Sequence, residues 1–193
     1  MRLFVAVEMP EDVREVIAAG LGQLRRDQPP ARWVRPEQMH FTLKFLGEQP
    51  DTFPDSLDRV MPTALAALPR VVVRLTGGGF FPNGLRPRVA WAGGEAAGFE
   101  LWAEAVDVAA ASLGVAREAR PYSLHLTLAR LDRPWGAQAV DHFRVEVGKW
   151  RFPEREAREV VLFRSELQPS GPAHTTLRRW RVGADAGENR DGA

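Results

Sequence analysis

Tyr122-Ser123-Leu124-His125-Leu126-Thr127-Leu128-Ala129-Arg130-Leu131 places one titratable side chain in the middle of an apolar, strand-like run. A strand alternates its faces, so His125 and Thr127 point to the same side of a sheet. Such a pair is suited to hold a phosphate. Near the start of the chain, Met39-His40-Phe41-Thr42-Leu43-Lys44-Phe45-Leu46 repeats the pattern His-x-Thr-Leu-x-x-Leu, 85 positions earlier. Two like strands predict two halves of one site.

The rest of the chain sets bounds on that site. At 193 residues with 45% hydrophobic side chains, it can build one domain of above-average size or two small lobes sharing a core. With 26 basic and 25 acidic residues the formal charge is +1, so no global field marks a general nucleic-acid binder, and affinity for phosphate must be local. There is no cysteine, which removes disulfides, thiolate nucleophiles and cysteine-bound zinc, and fits a reducing compartment. The apolar start, Met1 to Glu8, is too short for a signal sequence, and no run approaches the ~18 to 20 apolar residues of a membrane span. The expectation is a cytoplasmic monomer.

Taken in order, Leu3–Glu8 reads as a strand. A helix follows from Pro10-Glu11-Asp12, with Val13, Val16, Ile17, Leu21 and Leu24 at helical spacing and Arg25-Arg26 at its end. Trp33-Val34 and the His40 strand come next, the latter ended by Gly47. Leu57, Val60, Met61, Leu65 and Leu68 predict a helix that Pro62 either starts or bends. Val71–Leu75 is a strand by its β-branched content. The Gly77-Gly78-Gly79 run after it lacks the Lys-Ser/Thr of a phosphate loop and reads as a bulge or bend. Arg88–Trp91 is a further strand, and Phe99, Trp102, Val106, Ala109 and Leu113 trace one face of a helix. After the His125 strand, the pattern predicts a short helix around Gln138–His142, then strands over Phe143–Val147, Glu159–Phe163 and His174–Val182, the last reached through a Pro169-Ser170-Gly171-Pro172 turn. Residues 184–193 lack apolar periodicity and predict a disordered tail. With no linker between the halves, residues 1–183 form a single α+β domain with an approximate internal repeat.

Histidine titrates near pH ~6.5, so of two rings one can be neutral while the other is protonated. Base and acid are then available together, as in-line attack on a phosphodiester requires: one imidazole takes a proton from water and the other gives one to the departing ribose oxygen. Thr42 and Thr127 can donate hydrogen bonds to the phosphate. A lone histidine in an apolar strand is most often a satisfied core residue, but two copies with matching leucines argue otherwise. Metal binding is disfavoured, since there is no His-x-His, no HExxH and no carboxylate clustered with either motif. His174-Thr175-Thr176 follows a Gly-Pro turn, has no counterpart in the other half, and reads as a rim contact rather than a catalytic motif. His142 reads as a surface helix residue.

These extended motifs resemble the two-histidine (2H) phosphoesterase superfamily, and most of all its RNA 2′,3′-cyclic phosphodiesterases of the LigT/ThpR type. The resemblance runs through Arg2–Ala6, His40–Glu48, Phe81-Pro82 to Arg88–Trp91, His125–Arg130, and Ser165-x-Leu167 to Gly171-Pro172. It implies a bilobal fold, with two antiparallel-rich sheets around a central cleft, helices outside, and one HxT motif from each lobe. It also implies a hydrolase needing no cofactor or metal, with His40 as general acid toward the ribose O3′ and His125 as general base toward water. The substrate would be an RNA 3′ end or nucleotide carrying a 2′,3′-cyclic phosphate, and the product a 2′-phosphate. Thr42, Thr127 and Arg130 would bind the phosphate, and Phe45 would stack on the base. Strict alternation puts Phe45 and Arg130 on the wrong face, so a strand end or bulge must turn them, and for Phe45 a core role competes. Reverse 2′-5′ RNA joining, or an RNA-end-binding module without chemistry, remain alternatives. Family members often carry Tyr where this chain has His174.

Overall fold

In the computed structural model, which describes residues 1–168 and 171–183, the chain alternates hairpins with helices. The order is β1 (Arg2–Glu8), α1 (Glu11–Asp27), β2 (Arg32–Trp33), a 3-10 turn (Pro36–Gln38), β3 (His40–Glu48), α2 (Phe53–Ala66) and β4 (Val71–Phe81). Then come β5 (Val89–Glu95), α3 (Phe99–Ser112), β6 (Leu126–Arg130), α4 (Ala137–Lys149), β7 (Arg155–Ala157), β8 (Glu159–Gln168) and β9 (Gly171–Arg181). Two sheets result, ordered β3-β1-β8-β9 and β2-β6-β5-β4-β7, and every pairing is antiparallel. The internal repeat is visible in the topology. β1-α1-β3 in the first sheet matches β5-α3-β6 in the second, each an antiparallel pair joined by a helix, with β8 and β4 as the outer neighbours of β1 and β5.

Helices cover one face of each sheet. α2 and α3 lie against each other and on β9 and β3, while α4 lies on β4 with α1 against it. The main core forms there, from Leu3, Val5 and Val7 of β1 with Ile17, Leu21, Leu57 and Met61 of the helices. The other face of the first sheet has a smaller apolar floor of its own, Phe4, Ala6, Val161 and Phe163. β1 is therefore buried on both sides, which explains why it reads as a continuous apolar run rather than an alternating one.

Two local expectations are revised, and a third, the bulge at the glycine run, is met. Phe143–Val147 is not a strand but the second half of α4, which buries Val140, Phe143 and Val147 at i, i+3, i+7 and leaves Val145 exposed. The alternation of apolar and charged residues there mimics period two within a stretch too short to distinguish the two periods. α2 starts at Phe53, with Pro54 in its first turn and Pro62 inside it. The triple glycine continues β4 after a register shift between Leu75 and Gly77. A Cβ on Gly78 would crowd Phe143 and Val147 of α4, and one on Gly79 would overlap the Trp91 ring on the other face. The glycines thus admit a helix on one side and an indole on the other. Pro169, Ser170 and the tail 184–193 lie outside the described residues. No described helix is long and apolar enough to cross a membrane.

Candidate active site

Each HxT strand carries a β-bulge at the same place in its motif. β1 pairs Ala6 with Thr42 and Val5 with Lys44, leaving Leu43 unpaired. β5 pairs Trp91 with Thr127 and Ala90 with Ala129, leaving Leu128 unpaired. In both halves the extra residue is the leucine directly after the threonine. A bulge reverses the alternation beyond it. Leu43 and Lys44 are accordingly buried in succession, as are Leu128 and Ala129. Phe45 and Arg130 then emerge on the side of the histidines. Phe45 is 61% exposed, which excludes a core role. Arg130 is also exposed, and the nearby carboxylate of Asp132 is taken by Arg32 at 2.7 Å.

The two imidazoles are held in the same way. Nδ1 of His40 donates to the Gln38 carbonyl at 2.8 Å, and Nδ1 of His125 to the Ser123 carbonyl at 2.8 Å. A carbonyl only accepts, so each Nδ1 carries the hydrogen and each Nε2 is left for proton transfer. Their surroundings differ. The His40 ring stacks on Phe4 (centroids 4.6 Å, planes 29° apart) and meets His174 nearly at right angles at 5.1 Å. Among the described aromatic rings, His125 meets the edge-on ring of Phe81, at 4.9 Å, which in turn packs on Trp91.

Burial is the main reason the His40 pKa is pushed down to about 4, and the Gln38 carbonyl opposes it. The charges of His174, His125 and Arg130 lower it further, so residues of β9 and β6 act electrostatically on the first motif. Burial also lowers the pKa of His174.

A buried ion-pair network ties the halves together. The bulge sends Lys44 inward, where Nζ reaches Asp107 of α3 at 2.6 Å and the Ala116 carbonyl at 2.7 Å. Asp107 also accepts from Arg117 Nε at 2.5 Å and the Glu118 amide at 3.1 Å. Burial alone would raise its carboxyl pKa, and the Lys44 and Arg117 hydrogen bonds outweigh that and lower it. The strand bearing His40 is thereby fastened to the segment leading to His125.

Thr42 and Thr127 are half-buried on the histidine-bearing faces. His174, read from the sequence as a rim contact, instead lies against His40, and Phe4, Phe81 and Trp91 join the site although no polar motif marks them. Their signal is parity: Phe4 shares a face with Glu8, the register partner of His40, and Trp91 pairs directly with Thr127. His142 lies on α4, its Nδ1 3.0 Å from the Gln28 amide. Among the described residues no three or more His, Asp or Glu side chains cluster as a metal site.

The chain is similar to known proteins along most of its length. The family model described as LigT like phosphoesterase matches residues 7–91 and 94–174, spanning both HxT motifs. An RNA 2′,3′-cyclic phosphodiesterase of Thermus thermophilus is 35% identical, over 98% of this chain and 94% of that protein. One of the same name from Methanothermobacter thermautotrophicus is 31% identical, over 94% of this chain and 99% of its own length. The crystal structure of the Thermus thermophilus protein TT0787 superposes with a TM-score of 0.78 at 30% identity, covering 96% of this chain and all (100%) of that one. The chain belongs to the LigT-like phosphoesterase family.

Proposed function

We propose that this protein is an RNA 2′,3′-cyclic phosphodiesterase that opens the cyclic phosphate to a 2′-phosphate without a metal. The observation that carries the reading is the matched pair of imidazoles, each with Nδ1 on the carbonyl two residues before it and Nε2 left for chemistry. Relatives across most of the chain's length bear the same enzyme name.

In the proposed mechanism Thr42, Thr127 and Arg130 hold the cyclic phosphate and Phe45 stacks on the terminal base. Arg130 engages two phosphate oxygens through its planar fork, and Phe45 presents an exposed ring of the kind single-stranded bases stack on. Nε2 of His125 takes a proton from water as its oxygen attacks phosphorus. The P–O3′ bond breaks on the far side, and Nε2 of His40 gives its proton to O3′. Free His40, with a pKa of about 4, is neutral near pH ~7. The bound phosphate supplies a negative charge that offsets Arg130 and favours the protonated ring, so His40 takes up its proton with the substrate.

Incubation of the protein with a short RNA ending in a 2′,3′-cyclic phosphate, followed by mapping the product phosphate, tests the reading. A 2′-phosphate product and full activity in EDTA are expected. No turnover alongside retained binding to the RNA end would instead favour a binding module. Joining of a cyclic-phosphate end to a 5′-hydroxyl RNA faster than hydrolysis would favour the 2′-5′ ligase reading.

A further inference from the structure

We propose that His174 is a positioning residue, clamping the His40 imidazole against Phe4 so that its Nε2 keeps one direction; this rests on the acid–base reading above. A single hydrogen bond leaves an imidazole some freedom. Nδ1 of His40 is tied to the Gln38 carbonyl, but one bond fixes one point of the ring and still permits it to tilt. Two flat walls at a large angle to each other remove that tilt, and the structure supplies both.

Phe4 lies under His40 as a stacked partner with centroids 4.6 Å apart. His174 lies 5.0 Å from Phe4 and 5.1 Å from His40, at 73° to each ring, so it stands beside the stack and touches both members. Phe163 supports it from below, stacked on Phe4 at 5.2 Å and 6.3 Å from His174. The small Ala6, on the same apolar floor, leaves room for His40 to lean over it toward Phe4. His174 reaches this place by register. β9 pairs His174 with Ser165 and Thr176 with Phe163, so its side chain falls on the floor side at the far edge of the sheet from His40.

Charge does not offer a competing account of the contact. Burial lowers the His174 pKa, so near neutral pH the ring packs as an uncharged aromatic. The acid nearest His40 by register, Glu8 of β1, is held by Arg179 of β9 at 2.5 and 3.0 Å, and Glu159 of β8 lies 3.7 Å from the same arginine. The remaining groups that act electrostatically on His40 are His125, just before β6, and Arg130 at the end of β6. No carboxylate is shared between His40 and His174 among the described residues, and what joins them is ring contact.

Two variants separate a clamp from other roles. His174→Ala removes the wall, and kcat on cyclic-phosphate RNA is expected to fall about tenfold or more while KM changes less than about twofold, since misplacing a reacting group costs rate rather than affinity. His174→Phe restores most of that loss. In the free protein, NMR titration of the His40 ring is expected to move to higher pH in His174→Ala as water reaches the imidazole, with thermal melts showing that the variant is folded. Wild-type kcat together with an unmoved His40 titration in His174→Ala would overturn the proposal. So would a raised KM with kcat intact, which would make His174 a substrate contact. If the wild type does not turn the RNA over, the acid–base reading fails, and the His40 titration still decides whether His174 clamps the ring.

Discussion

The two half-sites share a backbone and differ in what it carries. Both strands set a histidine and a threonine two apart, insert one leucine, and bring a third side chain round to the same face. In the first half that side chain is Phe45, and in the second it is Arg130. The first half rests on an aromatic floor of Phe4 and Phe163 closed by His174, and the second on Phe81 and Trp91. One device, used twice, thus presents a flat apolar surface on one side and a planar cation on the other. A nucleotide end has the same asymmetry, with a base to stack and a phosphate to grip. The difference teaches that the repeat fixes where groups point, while the second residue after each bulge sets what the half-site presents.

The equality of the histidines is the part of this comparison with the largest consequence. His40→Ala and His125→Ala should each lower kcat by about 10²- to 10⁴-fold, the usual worth of a general acid or base. Because both act in one step, the double variant should be little worse than the poorer single one. Steady-state assays on a cyclic-phosphate RNA check this, and a single variant within tenfold of wild type would break the symmetry.

Lys44 has no counterpart in the second half, where Ala129 follows the bulge. Lys44→Met leaves Asp107 buried with one cationic partner fewer, and a destabilisation of about 3 kcal/mol is expected in urea unfolding. A loss below about 1 kcal/mol would mean that Arg117 alone satisfies the carboxylate. A smaller effect should separate the two cargo residues. Phe45→Ala should raise KM with little change in kcat, by the about 1–3 kcal/mol that base stacking contributes. Arg130→Lys should lower kcat/KM by about tenfold, because a point charge cannot reproduce the fork. Equal effects of both changes on KM alone would remove the distinction between the halves.

Much of this is legible in the chain because the site is built on strands, where period two converts spacing directly into facing. The pairing of the motifs follows from that period; the bilobal fold and the roles of Phe45 and Arg130 come from the family resemblance, and the period then shows that both side chains must be turned. The position of the bulge does not, since it depends on which residue the neighbouring strand leaves unpaired. The place of His174 is hidden for the same reason. Its contact with His40 crosses β1 and β8, and no local pattern reports a register summed over three pairings. Lys44, Asp107 and Arg117 meet through a helix packed on a strand, so each looks like a surface charge in the sequence. The second half of α4 is lost where five residues fit two periods equally well.

The burial of His40 in the first half makes the smallest prediction, one of pH. His40 in the folded protein has a pKa of about 4, below the ~6.5 of an unfolded histidine. Between those values the unfolded chain binds more protons than the native one, so stability falls as pH drops from ~6.5 toward 4, and His40 contributes nothing to the slope above that window. The loss is on the order of 2 kcal/mol near pH ~4.5. Carboxylates such as Asp107 add an acid-side loss of their own, so the comparison is between wild type and His40→Gln, which keeps a polar side chain but cannot titrate. The drop in Tm from pH ~7 to ~4.5 should be smaller in His40→Gln. Inorganic phosphate sharpens the test: an anion in the site favours the protonated ring, so phosphate should bind wild type more tightly as pH falls through the window, in excess of any trend in His40→Gln. Equal pH slopes in both proteins, for melting and for phosphate, would mean that His40 is solvated in the free protein.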